Sequence, residues 1–359
     1  METLKILARQ PDPCIRNYKQ SFLMKQMGHQ VFLSHSRPIG MPLPTFILNG
    51  YNRIINHNSE NALAEFIKKE KFDIIHTHNS PDNITLIIRD RVPESTIIHD
   101  IHDLQSAYTF LDNSEIDTME RISFRAADGI VCVSDMMKQA VLQKYPELAN
   151  KQYHVLPNFM MKELVPKIDK PRLSEEDGKL HIAYEGGIAS QSSHRNYFAM
   201  WQELANSGVH VHIHPFNNLR PEELKFGQGH PFIHMYNPLP TPQLMEQLTK
   251  YDFGYVGYSD NAFLMHMALP NKLFEYASAG LAVAAQPYVA IKDWVTKNKM
   301  GFIWNNVQEL LENMEKWRGY REQKLFLMDD HAKDIYKHYK AVLDAKASNN
   351  PPASATAQV

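Results

Sequence analysis

The chain is short of features that would tie it to a special environment. Its two cysteines, Cys14 and Cys132, give neither a disulfide framework nor a paired metal spacing, which favours a reducing compartment. No apolar stretch approaches the roughly 18 residues that span a bilayer. No long basic amphipathic helix argues for membrane-surface attachment. Neither sign of charge dominates: the formal net charge is -2, which removes any global electrostatic case for nucleic-acid binding. The amino end runs directly into an apolar stretch at residues 4–8 that reads as a first strand, not a signal peptide. The expected location is cytoplasmic, with peripheral association at the inner face of a membrane left open.

What is present is an ordinary globular composition, 43% hydrophobic and 22% charged, in 359 residues, enough for two domains. Strand and helix signals alternate, which favours α/β layering. In the first half the expected strands cover 4–8, 30–34, 73–78, 95–99, 129–134 and 153–156, with helices near 18–27, 62–70 and 116–127. A charged, Pro-containing stretch at 162–179 reads as a linker. Strands then recur at 180–184, 209–214, 232–236, 253–258 and 301–304, with helices over 195–207, 241–250, 307–317 and 322–345. The resulting division is 1–165 and 166–335 as two Rossmann-like domains, 336–347 as the end of the last helix, and 348–359 as a disordered tail. Two parallel-sheet domains imply ligands at the carboxyl ends of strands, in a cleft.

The most informative stretch is 270–285. It reads as a short helix with Pro270 at its first position and Gly280 just past its end, followed by a buried strand. Lys272 and Glu275, three residues apart, share a face near the positive end of that helix. A cation, a helix N-terminus and a carboxylate gathered beside a strand suit a phosphorylated sugar.

This segment resembles the donor-binding motif of retaining GT-B-fold glycosyltransferases, in its Pro-x-Lys-x-x-Glu variant. Further segments agree in order. Ile98-His99-Asp100-Ile101-His102-Asp103 resembles the family's strand ending in His-Asp. Glu120-x7-Asp128, followed by the strand to Ser134, is similar to its helix, turn and strand. Leu156-Pro157-Asn158 resembles the end of its first domain, Tyr184-Glu185-Gly186-Gly187 the opening of its second, and Asp252-Phe253-Gly254 a later strand. Two departures stand out. Met267 occupies the place of the first Glu of the commoner Glu-x7-Glu motif. The loop after the first strand, residues 11–16, has no Gly-Gly pair.

The resemblance implies a GT-B architecture, with an acceptor domain, a nucleotide-sugar donor domain, and a terminal helix crossing back to the first. It also implies transfer with retention of configuration. The chain contains no Asp-x-Asp, so stabilisation of the leaving diphosphate falls to cations and a helix N-terminus, with no metal or other cofactor expected. By the resemblance Lys272 meets phosphate and Glu275 the ribose; the bland alternative is a solvated Lys–Glu pair on the helix. Arg195, with His194 beside it, is expected to grip the diphosphate, and Gly186 and Gly187 to let backbone approach it. His102 and Asp103 are the expected catalytic pair, against a satisfied histidine in a chain with 18 of them; His99 is a weaker candidate. Tyr236, Asn237 and Pro238 fall in the nucleobase region. His210, His212 and His214 share a strand face and could bind zinc, but a plain polar face is the commoner explanation. His76 and His78 are read as pointing to opposite faces of their strand.

The expected activity is transfer of a sugar from a nucleotide diphosphate sugar to an acceptor hydroxyl, in glycan, glycolipid or glycoprotein synthesis. The partners are that donor and an acceptor that is a glycan, a lipid or a protein. A nucleotide-sugar 2-epimerase of the same fold, and a catalytically silent GT-B subunit, are the alternatives.

Overall fold

A computed structural model describes residues 1–349 apart from 39–42, 44, 108–113, 192–194, 217–218 and 260–262. The chain divides into two compact units. One is Met1–Pro157 together with the chain from Met328 onward, and the other is Asn158–Leu327. The dividing points thus fall at 157/158 and 327/328, against the 165/166 and 335/336 read from sequence.

The first unit is built on seven parallel strands: β1 (Lys5–Arg9), β2 (Gln30–His35), β3 (Arg53–Asn56), β4 (Ile74–His78), β5 (Ile97–Ile101), β6 (Gly129–Cys132) and β7 (Gln152–Val155). Their order is β3-β2-β1-β4-β5-β6-β7. The order reverses between β1 and β4, the crevice where doubly wound sheets bind ligands. Leu7, Ile75 and Ile97, on adjacent strands, are buried against Leu63, Ile67, Ile84 and Ile88 of the covering helices. The last helix, Ala332–Asn349, packs on β7 and on the helix Ile15–Gln26.

The second unit has six parallel strands: β8 (His181–Gly186), β9 (His210–Pro215), β10 (Ile233–Met235), β11 (Phe253–Val256), β12 (Ala282–Ala285) and β13 (Gly301–Ile303). The order is β10-β9-β8-β11-β12-β13, reversing between β8 and β11. Aromatic residues fill its core, with Tyr184, Trp201 and Tyr255 buried together. No helix among the described residues is long and apolar enough to cross a membrane.

Several expectations need correction. The final helix starts at Ala332 and not at 322: residues 321–326 have no regular structure, Leu327 bridges Met160, and a 3-10 turn, Met328–His331, precedes the helix. It continues to Asn349, so no tail begins at 348; residues 350–359 lie outside the described chain. The helix expected from 195 begins at Phe198, leaving Arg195 in the preceding loop. The linker at 162–179 contains the helix Leu173–Asp177. Pro270 caps its helix from an extended conformation instead of opening it. His76 and His78 stack on one face with ring centroids 4.4 Å apart. That follows from the period of two along a strand, which puts residues i and i+2 on the same side.

Candidate functional site

In the second unit, the residues predicted for the donor collect at the carboxyl end of β8. The strand ends at Gly186, whose φ of +131 is a backbone conformation that L side chains rarely adopt. A Cβ there would lie 2.9 Å from Lys272 Nζ, and one at Gly187 would lie 2.6 Å from Arg195 Nη1. The two glycines therefore let both cations close over the strand end. Lys272 Nζ sits 4.0 Å from the centre of the Tyr184 ring, a contact worth about 0.5–2 kcal/mol. The Tyr184 hydroxyl donates to Gly187 O at 2.8 Å and holds the turn.

Lys272 is placed by its helix, Asn271–Ser278, which the sheet accepts through small residues. Gly254 on β11 lies under the Tyr276 ring, and a Cβ there would fall 2.2 Å from ring carbons. The Tyr276 hydroxyl accepts the Glu185 N–H at 2.9 Å, tying the helix to the end of β8. β12 is Ala-Val-Ala-Ala, fully buried beside it.

Lys272 and Arg195 form no ion pair among the described residues, and the Lys272–Glu275 helix pair named as the bland alternative is not made. Burial pulls the Lys272 ammonium down to about 8; Glu185 and Glu275 oppose the shift and Arg195 adds to it. Glu275 is half-buried, and its carboxylate makes no hydrogen bond among the described residues. This is a cation pair on a glycine floor at a topological switch point, with spare capacity for an anion.

The first unit gathers a different set at the ends of β4 and β5. Asp100 is fully buried and takes Arg16 Nε at 3.0 and 2.9 Å on its two oxygens. Gln20 donates to the same carboxylate, and Arg16 also reaches Leu156 O at 2.8 Å. His78 Nδ1 lies 3.4 Å from Asp100 Oδ2 and 3.1 Å from His102 Nε2. The other His102 nitrogen faces Cys14 Sγ at 3.8 Å. Asn79 accepts the His102 N–H at 2.8 Å and donates to Asp103 O at 2.6 Å. Burial pulls His102 and His78 each down to about 4. Burial raises the Asp100 carboxyl, but Arg16 and the two imidazoles outweigh it and hold it well below the usual carboxylate range. At neutral pH the set is thus a carboxylate–guanidinium pair beside two neutral imidazoles.

Sequence reasoning missed Asp100 and Arg16. The alternation along β5 could have found Asp100, since it shares a face with His102 and not with His99. Nothing local marks Arg16, which meets Asp100 from 84 positions away. His99 is a satisfied core residue, bonded through Nε2 to Asp82 at 3.0 Å and through Nδ1 to Thr77 and Thr85. Asp103 is half-buried beside His102. Tyr236 stacks on His214 with centroids 4.3 Å apart, while Asn237 and Pro238 are exposed. His212 and His214 are engaged with their neighbours, His212 between His181 and Tyr236 and His214 with Tyr251, instead of forming a triad with His210. His194 lies outside the described residues.

With this geometry in view, known proteins give context. The sequence profile of Glycosyltransferase Family 4 matches residues 23–161. A putative glycosyltransferase, YtcC of Bacillus subtilis, is 28% identical over 100 residues, 27% of this chain and 23% of that protein. The match therefore spans about a quarter of that relative. Among solved structures, a sucrose-phosphate synthase from Thermosynechococcus elongatus superposes with a TM-score of 0.66 at 11% identity, covering 96% of this chain and 98% of its own. A putative UDP-N-acetylglucosamine 2-epimerase from Listeria monocytogenes gives 0.61 at 13% identity, with 97% of each chain covered. HepE of Anabaena, solved in complex with UDP and glucose, gives 0.63 at 13% identity over 96% of this chain and 100% of that one. The fold, two Rossmann-like parallel-sheet domains, is GT-B.

Proposed function

We propose that this protein is a GT-B glycosyltransferase that moves a sugar from a nucleotide diphosphate sugar to an acceptor hydroxyl. The observation that carries the proposal is the pair Lys272 and Arg195, closed over Gly186 and Gly187, with neither cation in a close ion pair among the described residues. In this proposal both cations hold the diphosphate and stabilise the charge it gains as the sugar bond breaks. Glu275, an acceptor without a donor, takes the ribose hydroxyls.

In the first unit, His102 stays neutral through the physiological range, so one nitrogen can accept while the other donates to the sugar or its phosphate. Asp103 stands beside it as a weaker candidate for the same contact. Asp100, Arg16 and His78 fix the His102 ring. The anomeric carbon–oxygen bond to the diphosphate breaks, the acceptor oxygen bonds the same carbon, and the leaving phosphate takes the acceptor proton. Retention follows from the family resemblance, and independence from a metal in this step from the lack of any Asp-x-Asp in the sequence. Tyr236, Asn237 and Pro238 are proposed to lie near the nucleobase. The acceptor is a glycan, a lipid or a protein, and a cytoplasmic site of action suits the two reduced cysteines.

The test is release of free nucleotide diphosphate from UDP-, GDP- and ADP-sugars with and without acceptor extracts. Release that requires acceptor supports transfer. Sugar inversion without acceptor would identify an epimerase, and no turnover with any donor would identify a silent subunit. His102→Ala should lower turnover more than donor affinity; wild-type turnover would remove His102 from the site.

A further inference from the structure

Asp177, His181 and His210 come from three elements and meet at the amino ends of β8 and β9. His181 Nε2 lies 3.2 and 3.1 Å from the two Asp177 carboxylate oxygens. His210 Nε2 lies 3.2 Å from Asp177 Oδ2. The other nitrogen of each ring has a partner: His181 Nδ1 and His212 Nε2 are 2.8 Å apart, as are His210 Nδ1 and His234 Nε2. In the tautomer where each Nδ1–H donates along these contacts, both Nε2 lone pairs turn toward the carboxylate. An outer partner that fixes ring and tautomer is the usual support of a metal-ligating histidine.

We propose that Asp177, His181 and His210 form a zinc site, with water as the remaining ligand. A tetrahedral ion with bonds of about 2.1 Å holds its ligand atoms about 3.4 Å apart. The nitrogen–oxygen separations of 3.1 to 3.2 Å are already near that value. The two rings are stacked, with centroids 4.5 Å apart and planes within 10°. Binding therefore opens the stack slightly, and His210, 14% exposed against 4% for His181, is the more accessible of the two rings. Two imidazoles and one carboxylate are a donor set that suits zinc.

The site is not part of the proposed transfer chemistry. His181 opens β8 and Gly186 closes it, which separates the two by about 17 Å along the strand. A metal here clips the helix Leu173–Asp177 to two strands, and the proposal stands whether or not the protein transfers sugars.

The test uses untagged full-length protein, stripped with chelator, dialysed and titrated with zinc chloride by calorimetry. One zinc per chain and a higher melting temperature are expected. Asp177→Ala and His210→Ala, both at partly exposed positions, should weaken binding at least thirtyfold, and His234→Ala, which removes only an outer partner, about tenfold. Lys272→Ala should bind zinc as the wild type does. If His210→Ala loses its far-ultraviolet circular dichroism, the exposed Asp177→Asn decides in its place. No zinc on the wild-type protein, or equal affinity in the Asp177 and His210 variants, would overturn the site.

Discussion

The two carboxyl-end clusters differ in how their charges are answered. In the first unit Asp100 is buried and met by Arg16, Gln20 and His78, so its charge is matched within the fold. In the second, Lys272 rests on an aromatic face and Arg195 is exposed, and neither makes a close ion pair among the described residues. A matched cluster holds a side chain in place. An unmatched one leaves electrostatic capacity for a ligand. The first should therefore answer mutation mainly in stability and the second mainly in binding.

The largest effect is expected at the matched cluster. Asp100→Asn leaves the buried Arg16 guanidinium without its counter-charge, which should cost about 3–5 kcal/mol of stability in urea unfolding. A loss below 1 kcal/mol would show that the pair is not the anchor described. Lys272→Ala should weaken nucleoside diphosphate binding by about 10- to 100-fold, the worth of a hydrogen bond to a charged group. Its stability should fall by no more than the roughly 0.5–2 kcal/mol of the Tyr184 contact, since no ion pair is lost. A stability loss as large as that of Asp100→Asn would erase the contrast.

A packing change tests how the cation is positioned. Gly254→Ala puts a methyl into the Tyr276 ring, and the overpacking should cost about 1–3 kcal/mol. Because that ring ties the helix of Lys272 to β8, diphosphate affinity should fall with it. Unchanged affinity in a destabilised variant would separate the helix from the site.

The smallest effect is on pH. Lys272 is charged below about pH 8 and neutral above it. The protonated form binds the diphosphate, so affinity should fall as pH rises through 8 and approach that of Lys272→Ala. Lys272→Arg should hold its affinity across the same range. His102, down near 4, should add no inflection between pH 6 and 8. An inflection there that vanishes in His102→Ala would revise its protonation state.

The grouping at the end of β8 was largely legible because most of its residues are close in sequence. Gly186 and Gly187 follow directly on a strand, and Lys272 and Glu275 sit three apart on one helix. The first-unit cluster was only half legible. His102 carried a local motif, whereas Arg16 reaches Asp100 across the sheet and has no local signature. Element boundaries failed where tertiary pairing overrode propensity. The irregular run before Leu327 stands where a helix was expected, and its backbone bonds go to Ala277 and Met160 instead of along a helix.

The sequence by itself determined the alternation of strands and helices, since apolar periodicity and glycine placement act over a few residues. It also singled out the short segments, residues 184–187 and 270–280, that the fold brings together at the end of β8. Tertiary structure alone decided that the Lys272–Glu275 pair stays open and that Asp100 is answered by Arg16. It also decided that Asp177 and His181, four apart, meet His210 from the next strand. Sheet order sets these meetings, because parallel strands joined by long crossovers bring together residues that no local pattern relates.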